Sequence, residues 1–180
     1  MLQLTIPALE KYDEENDEFI ATKEQVLQVE HSLVSISKWE SKWCKPFLNR
    51  ETKSTEEIID YIRCMTITQN VPKEAYANVT DENVTDINKY IEAPMSATWF
   101  NDYEKKAQSK EIITSEIIYY WMITYNIPIT CQKWHLNRLL TLIRVCDKKN
   151  APAKKMSTAE IMTRNTNLNN ERRAKMNNKG

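Results

Sequence analysis

The spacing of apolar residues changes rhythm near residue 31. Before it, Leu2, Leu4 and Ile6 alternate with polar neighbours up to Pro7, and a second short alternation runs from Val26 to Glu30. A period of two places alternate side chains on one face, so residues 1–31 are the β-prone part of the chain and predict a hairpin. Its connection is acidic, with six carboxylates between Glu10 and Glu18. From residue 32 to 150 the period is helical. Leu33, Ile36, Trp39 and Trp43 share one side of a helix that Ser32 can cap and Pro46 ends. Ser54-Thr55-Glu56-Glu57 is a capping box, opening a helix with Ile58, Ile59, Ile62 and Met65 on its buried side. Thr80 to Ile91 repeats the device, with Val84, Ile87 and Ile91 inward and Pro94 beyond. Residues 95–110 are mixed, and Trp99-Phe100 stands there in a polar loop.

Thr114–Tyr125 is apolar almost all round, the pattern of a central helix, until Asn126-Ile127-Pro128 breaks it. Cys131 to Lys149 then predicts one long helix with Leu136, Leu139, Leu140, Ile143 and Cys146 inward. Residues 151–180 differ in kind. Ala151 to Lys155 reads as a linker, Ser157-Thr158-Ala159-Glu160 as another capping box, and the rest is polar and basic. That segment has too few apolar residues to bury a face alone, so it predicts an exposed helix or a tail that orders against a partner. The fold expected is mainly α: a compact bundle of about five helices around Thr114–Lys149, with a small N-terminal β-hairpin and a basic C-terminal helix or tail. Residues 1–150 form a single globular domain in this reading, β-prone over 1–31 and helical over 32–150, and 151–180 are linker and tail.

Composition narrows the function. The single glycine among 180 residues is Gly180. Glycine supplies the positive-φ turns and phosphate-cradling loops on which many active sites are built. A Walker-type loop and a nucleophile elbow are therefore excluded. Asparagine is plentiful, with 16 copies, and Asn70, Asn126 and Asn150 stand at predicted element ends where its tolerance of the left-handed region can replace glycine.

The net charge is zero, but residues 1–90 hold 10 Lys+Arg against 17 Asp+Glu, and residues 91–180 hold 15 against 8. A chain polarised this way can pack its halves together or attract copies of itself head to tail, although simple solvation is the commoner origin of such a pattern. Cys44, Cys64, Cys131 and Cys146 show neither a C-x-x-C pair nor zinc spacing, which predicts free thiols in a reducing compartment. The first residues lack the basic and long apolar regions of a signal peptide, and the longest apolar run, Ile117–Ile123, is too short to span a bilayer. A soluble cytosolic protein without a membrane partner is expected.

No residue constellation points to catalysis, a cofactor or a metal. His31 and His135 lack a ligand-spaced companion and read as structural or surface histidines. The carboxylates of 10–18 lack the alternating ligands and turn glycine of a calcium loop, so they read as a solvated acidic loop. Trp39, Trp43 and Trp121 follow helical spacing and read as core. Trp99 and Phe100 are the candidate exposed contact, with a loop anchor folded back on the core as the alternative. Lys154, Lys155, Arg172, Arg173 and Lys175 make the tail the second candidate contact. Nucleic acid is the weaker partner for it, because the tail carries no interleaved aromatics and the chain is neutral overall. A protein with an acidic or apolar surface fits better.

Several segments carry a family resemblance. Ile112 to Met122, Asn126-Ile127-Pro128 and Trp134 to Ile143 resemble the tail assembly chaperones of tailed bacteriophages. Ser37 to Trp43 with Lys45 to Leu48, Cys64 to Thr68, Ala93 to Phe100 and Pro152 to Ser157 fit the same family. The resemblance spans nearly the whole chain without a catalytic signature. It implies a protein of the host cell cytoplasm, acting by binding, whose partners are the tape-measure protein and the tail-tube protein and which promotes tail polymerisation. A structural virion component, such as a baseplate or head–tail connector subunit, is the alternative, and a small DNA-binding packaging protein is weaker still.

Overall fold

A computed structural model describes residues 1–13, 18–49, 51–100, 112–151 and 158–176. The N-terminal strands are β1 (Leu2–Ile6), β2 (Leu9–Asp13), β3 (Glu18–Thr22) and β4 (Gln25–Val29). β1 pairs antiparallel with β4 from Leu2↔Val29 to Ile6↔Gln25, and β2 with β3 from Leu9↔Thr22 to Asp13↔Glu18. The register does not slip between the two ladders, so they are inner and outer parts of one hairpin ribbon. Alternation orients the inner part: Leu4, Ile6, Leu27 and Val29 are buried, whereas Gln3, Thr5, Val26 and Gln28 face water. The expected acidic connection is corrected here, because strands continue through Glu10–Asp13 and from Glu18; the remaining positions, 14–17, lie outside the described residues. The free edge of β4 is covered. Ile67 N–H donates to the Gln28 carbonyl at 2.8 Å, and Glu30 N–H to the Met65 carbonyl at 2.9 Å.

Six α-helices follow among the described residues: α1 (Leu33–Trp43), α2 (Thr55–Met65), α3 (Asp81–Glu92), α4 (Ser115–Thr124), α5 (Leu136–Asn150) and α6 (Thr158–Met176). Short 3-10 helices span Lys73–Asn78 and Ile129–Lys133. The protein is thus mainly helical with a small N-terminal hairpin, as its periodicity predicts. Ser32, Ser54 and Thr80 each form a reciprocal capping box, with Ser35, Glu57 and Asn83 respectively. The long helix expected from Cys131 begins only at Leu136; Pro128 instead opens a tight 3-10 turn whose Cys131 is buried.

The centre of the core is α1, not α4. Leu33, Ile36 and Trp39 of α1 share one buried cluster with Leu27 and Val29 of the hairpin, Ile62 and Met65 of α2, Ile118 and Met122 of α4, and Leu136 and Leu139 of α5, and α1 itself packs on α2, α4 and the Ile129–Lys133 turn. α4 buries only Ser115, Ile118 and Met122, while Tyr120 and Ile123 are 64% and 74% exposed. Its apolar perimeter therefore covers the core on one side and faces water on the other. Ile58 and Ile59 are half-buried, and Tyr61 takes the interior position on α2.

Positive φ occurs at Cys44, Asn70, Met95 and Asn126. Asparagine fills two of these positions, as expected of Asn70 and Asn126. Asn150 does not: it is the last residue of α5, with right-handed helix continuing to it. Cys44 closes α1 at φ 52°, ψ 35°, where its N–H donates to the Glu40 carbonyl. A non-glycine residue gives up about 1–2 kcal/mol there, and glycine's extra freedom when unfolded returns about half of that. Cys44→Gly is therefore expected to stabilise the protein by about 0.5–1 kcal/mol, raising the thermal midpoint by roughly 1–4 °C. A lowered midpoint in a thermal melt would contradict the account.

Contacts divide the chain into two compact units, Met1–Cys146 and Asp147–Gly180, with the division inside α5. In the second unit α6 is a helix with no buried residue.

Candidate functional site

Two polar clusters lie inside the first unit, and both involve residues far apart in sequence. In the first, His31 Nδ1 and the Tyr61 hydroxyl share a hydrogen bond of 2.5 Å, and Ser35 Oγ lies 3.4 Å from the same hydroxyl. The His31 carbonyl accepts from Leu136 N–H at 2.7 Å, which docks the start of α5 beside the start of α1. His135 packs edge-on against His31 with ring centroids 5.2 Å apart. Its Nε2 lies 3.0 Å from the Tyr90 carbonyl, and its Nδ1 accepts from Asn137 N–H at 3.2 Å. A carbonyl can only accept, so the proton of this neutral ring sits on Nε2. The Tyr90 hydroxyl in turn donates to Glu30 Oε1 at 2.7 Å.

Burial sets the protonation of this cluster. It lowers His31 to about 3, helped by the neighbouring His135 ring, and burial likewise pushes His135 below the usual histidine range. Burial raises the Tyr61 and Tyr90 phenols far above theirs. The two histidines and the two tyrosines are thus held neutral at neutral pH. The cluster's chemistry is that of a polar clasp among the β4–α1 junction, α2, α3 and α5.

The second cluster is acidic and joins α1 to α2 and α4. Glu40 is buried: its Oε1 accepts from Phe47 N–H at 2.8 Å and its Oε2 from Ser115 N–H at 2.7 Å. Thr114 makes no side-chain cap at the start of α4, so a carboxylate from α1 performs that task. Glu57 accepts from Lys45 Nζ at 2.6 Å and from Ser54 N–H, which holds its carboxyl below the usual range. Asp60 accepts from Lys42 Nζ at 2.5 Å and Trp43 Nε1 at 3.0 Å. Burial opposes ionisation of Asp60, but these donors outweigh it and its carboxyl titrates low.

Sequence reasoning missed Glu40 and Asp60, and it gave Glu57 only its part in the Ser54 capping box. The signal for Glu40 was present, since it occupies an apolar slot in the stripe Leu33, Ile36, Trp43. Among the described residues no group of three or more His, Cys, Asp or Glu is placed to hold a metal. No described helix is long and apolar enough to cross a membrane.

The candidate contact residues lie on the surface. Trp99 is 81% exposed. Phe100, its neighbour, is half-buried with the Arg144 guanidinium of α5 stacked 4.3 Å from its ring centroid. The two residues therefore play different parts: Phe100 anchors the segment, and Trp99 projects from it. Tyr120 and Ile123 on the outer side of α4 add a second exposed apolar element. Arg172, Arg173 and Lys175 are exposed on α6 in the other unit, and Lys154 and Lys155 lie outside the described residues, as do Ser157 and most of the expected linker. Compared with protein-family models, with curated proteins and with solved structures, the chain matches none.

Proposed function

We propose that the protein is a tail assembly chaperone of a tailed bacteriophage, acting in the host cytoplasm by binding the tape-measure and tail-tube proteins and promoting tail polymerisation. The resemblance carried by Ile112 to Met122 and Trp134 to Ile143 supplies the identity of the partners. The observation that supports a binding role is the exposure of Trp99, Tyr120 and Ile123, large side chains of which the aromatic ones are the kind that anchors protein–protein contacts. Each offers a rigid apolar contact to an unassembled client whose own apolar surface is uncovered. Phe100 under Arg144 fixes the base from which Trp99 projects.

Co-expression tests the reading. The soluble fraction of the tape-measure protein is expected to rise several-fold with the native chain and to return towards baseline with Trp99→Ser combined with Ile123→Ser. No gain with the native chain overturns the proposal. Mass spectrometry of purified virions separates it from a baseplate or connector role, because abundant copies in the particle would favour the structural subunit.

A further inference from the structure

We propose that a cavity between the end of α2 and the Lys73–Asn78 turn binds a phosphate group, free or carried as the monoester of a small molecule. The inference is independent of the assembly role proposed above. It rests on a set of polar donors that the fold gathers and leaves unused.

The cavity holds about 280 Å³. That is close to the lower bound of small-molecule sites, roughly 300 Å³. Arg63, Thr66, Thr68, Asn70, Lys73 and Tyr76 line it, and no carboxylate does. One stretch of chain brings them together: α2 ends at Met65, residues 66–68 lie along the edge of β4, and Asn70 turns the backbone at φ 58°. The carbonyls at the end of α2 are already occupied. Ile62 accepts from the Thr66 hydroxyl, Arg63 from Thr66 N–H and Met65 from Glu30 N–H, so the negative helix end makes little claim on the nearby cations.

The remaining donors are available to a ligand. Thr68 Oγ1 accepts from Gln28 N–H at 2.8 Å, which fixes the oxygen and leaves its own proton to donate. Tyr76 is 6% exposed, yet its hydroxyl has no hydrogen-bond partner among the described residues. No buried side-chain nitrogen or oxygen there lacks a partner, so this hydroxyl meets solvent, and the cavity that Tyr76 lines is where it does. The Arg63 guanidinium lies 5.8 Å from the Tyr76 ring centroid. Its ion pair with Asp60 is long, 3.5 Å, because Asp60 is held more closely by Lys42 and Trp43. Lys73 is exposed and makes no ion pair among the described residues. Two cations, two hydroxyls and the Asn70 amide thus face one small space. A phosphate monoester, with a charge of about −1.5 to −2 at neutral pH and three acceptor oxygens, matches that set; a carboxylate carries one charge and two oxygens.

Calorimetric titration of the full chain at constant ionic strength tests the site, with inorganic phosphate, ribose 5-phosphate and acetate as probes. Saturable 1:1 binding of a phosphate is expected, with acetate at least tenfold weaker. Tighter binding of ribose 5-phosphate than of inorganic phosphate makes the monoester the ligand, and the reverse makes it the free ion. Lys73→Ala is expected to weaken the affinity about tenfold. Tyr76→Phe removes an unpartnered hydroxyl and keeps the packed ring, so it is expected to weaken binding several-fold at an unchanged thermal midpoint. Lys133→Ala, an exposed cation outside the cavity, is expected to bind as the native chain does. The proposal is overturned if neither phosphate binds saturably, or if acetate binds as tightly. It is also overturned if Lys133→Ala costs as much as Lys73→Ala, or if neither Lys73→Ala nor Tyr76→Phe changes the affinity.

Discussion

Replacing Glu40 by alanine is expected to destabilise the protein by about 3 kcal/mol, more than any surface change. The side chain is a buried bridge, its two oxygens accepting from the backbone N–H groups of Phe47 and Ser115. Alanine leaves both donors buried without a partner, at about 1–3 kcal/mol each before relaxation. It also removes a negative charge from the N-terminus of α4, which has no side-chain cap of its own. Glutamine keeps one carbonyl acceptor and loses the charge, so Glu40→Gln is expected to cost about half as much. Urea denaturation checks both: the midpoint should fall by roughly 1–2 M for alanine at an ordinary denaturant slope. Equal and small shifts in the two variants would show that the carboxylate is not the cap of α4.

Acid is expected to weaken the fold well before the carboxylates titrate. In the unfolded chain His31 has an ordinary value near 6.5, and in the folded protein it is lowered to about 3. Below 6.5 the unfolded state binds the proton and the folded state refuses it, so stability is lost as pH falls from about 6.5 towards 3. Each pH unit in that window is worth about 1.4 kcal/mol, so His31 alone removes about 2 kcal/mol between neutral pH and pH 5. His135 acts in the same direction. Glu57 and Asp60, whose carboxyls are lowered by their lysine partners, lose their contribution only below about pH 4, the ordinary carboxylate value, so the histidine effect is separable from theirs. The free energy from urea titrations at pH 7 and pH 5 measures it. His31→Gln is expected to lower stability at pH 7, through the lost Tyr61 bond, while shrinking the difference between the two pH values. A native protein equally stable at both pH values would contradict the buried neutral pair.

The candidate contacts were partly legible in the chain. Trp99-Phe100 stood out as aromatic residues in a polar stretch, but the sequence left open whether the pair was exposed or folded back. The structure gives one answer for each residue, because Arg144 reaches Phe100 from α5 and leaves Trp99 in water. The exposure of Tyr120 and Ile123 was hidden. A helix apolar on all sides reads as central, and only its neighbours decide which side they cover.

By itself the sequence determined where the elements lie. The capping boxes at Ser32, Ser54 and Thr80, the alternation of Leu2–Ile6 and the break at Pro128 are each written in a few neighbouring residues, so they mark the elements without reference to what those elements pack against. The near absence of glycine likewise stands on composition alone, and asparagine answers it at Asn70 and Asn126. Tertiary structure decided what those elements enclose. Glu40 meets Ser115 across 75 positions and His31 meets Tyr61 across 30, distances over which no periodicity or local motif carries information. It also made α1 the centre, because α1 packs on α2, α4 and the Ile129–Lys133 turn together, and burial is a property of the whole packing rather than of any one helix.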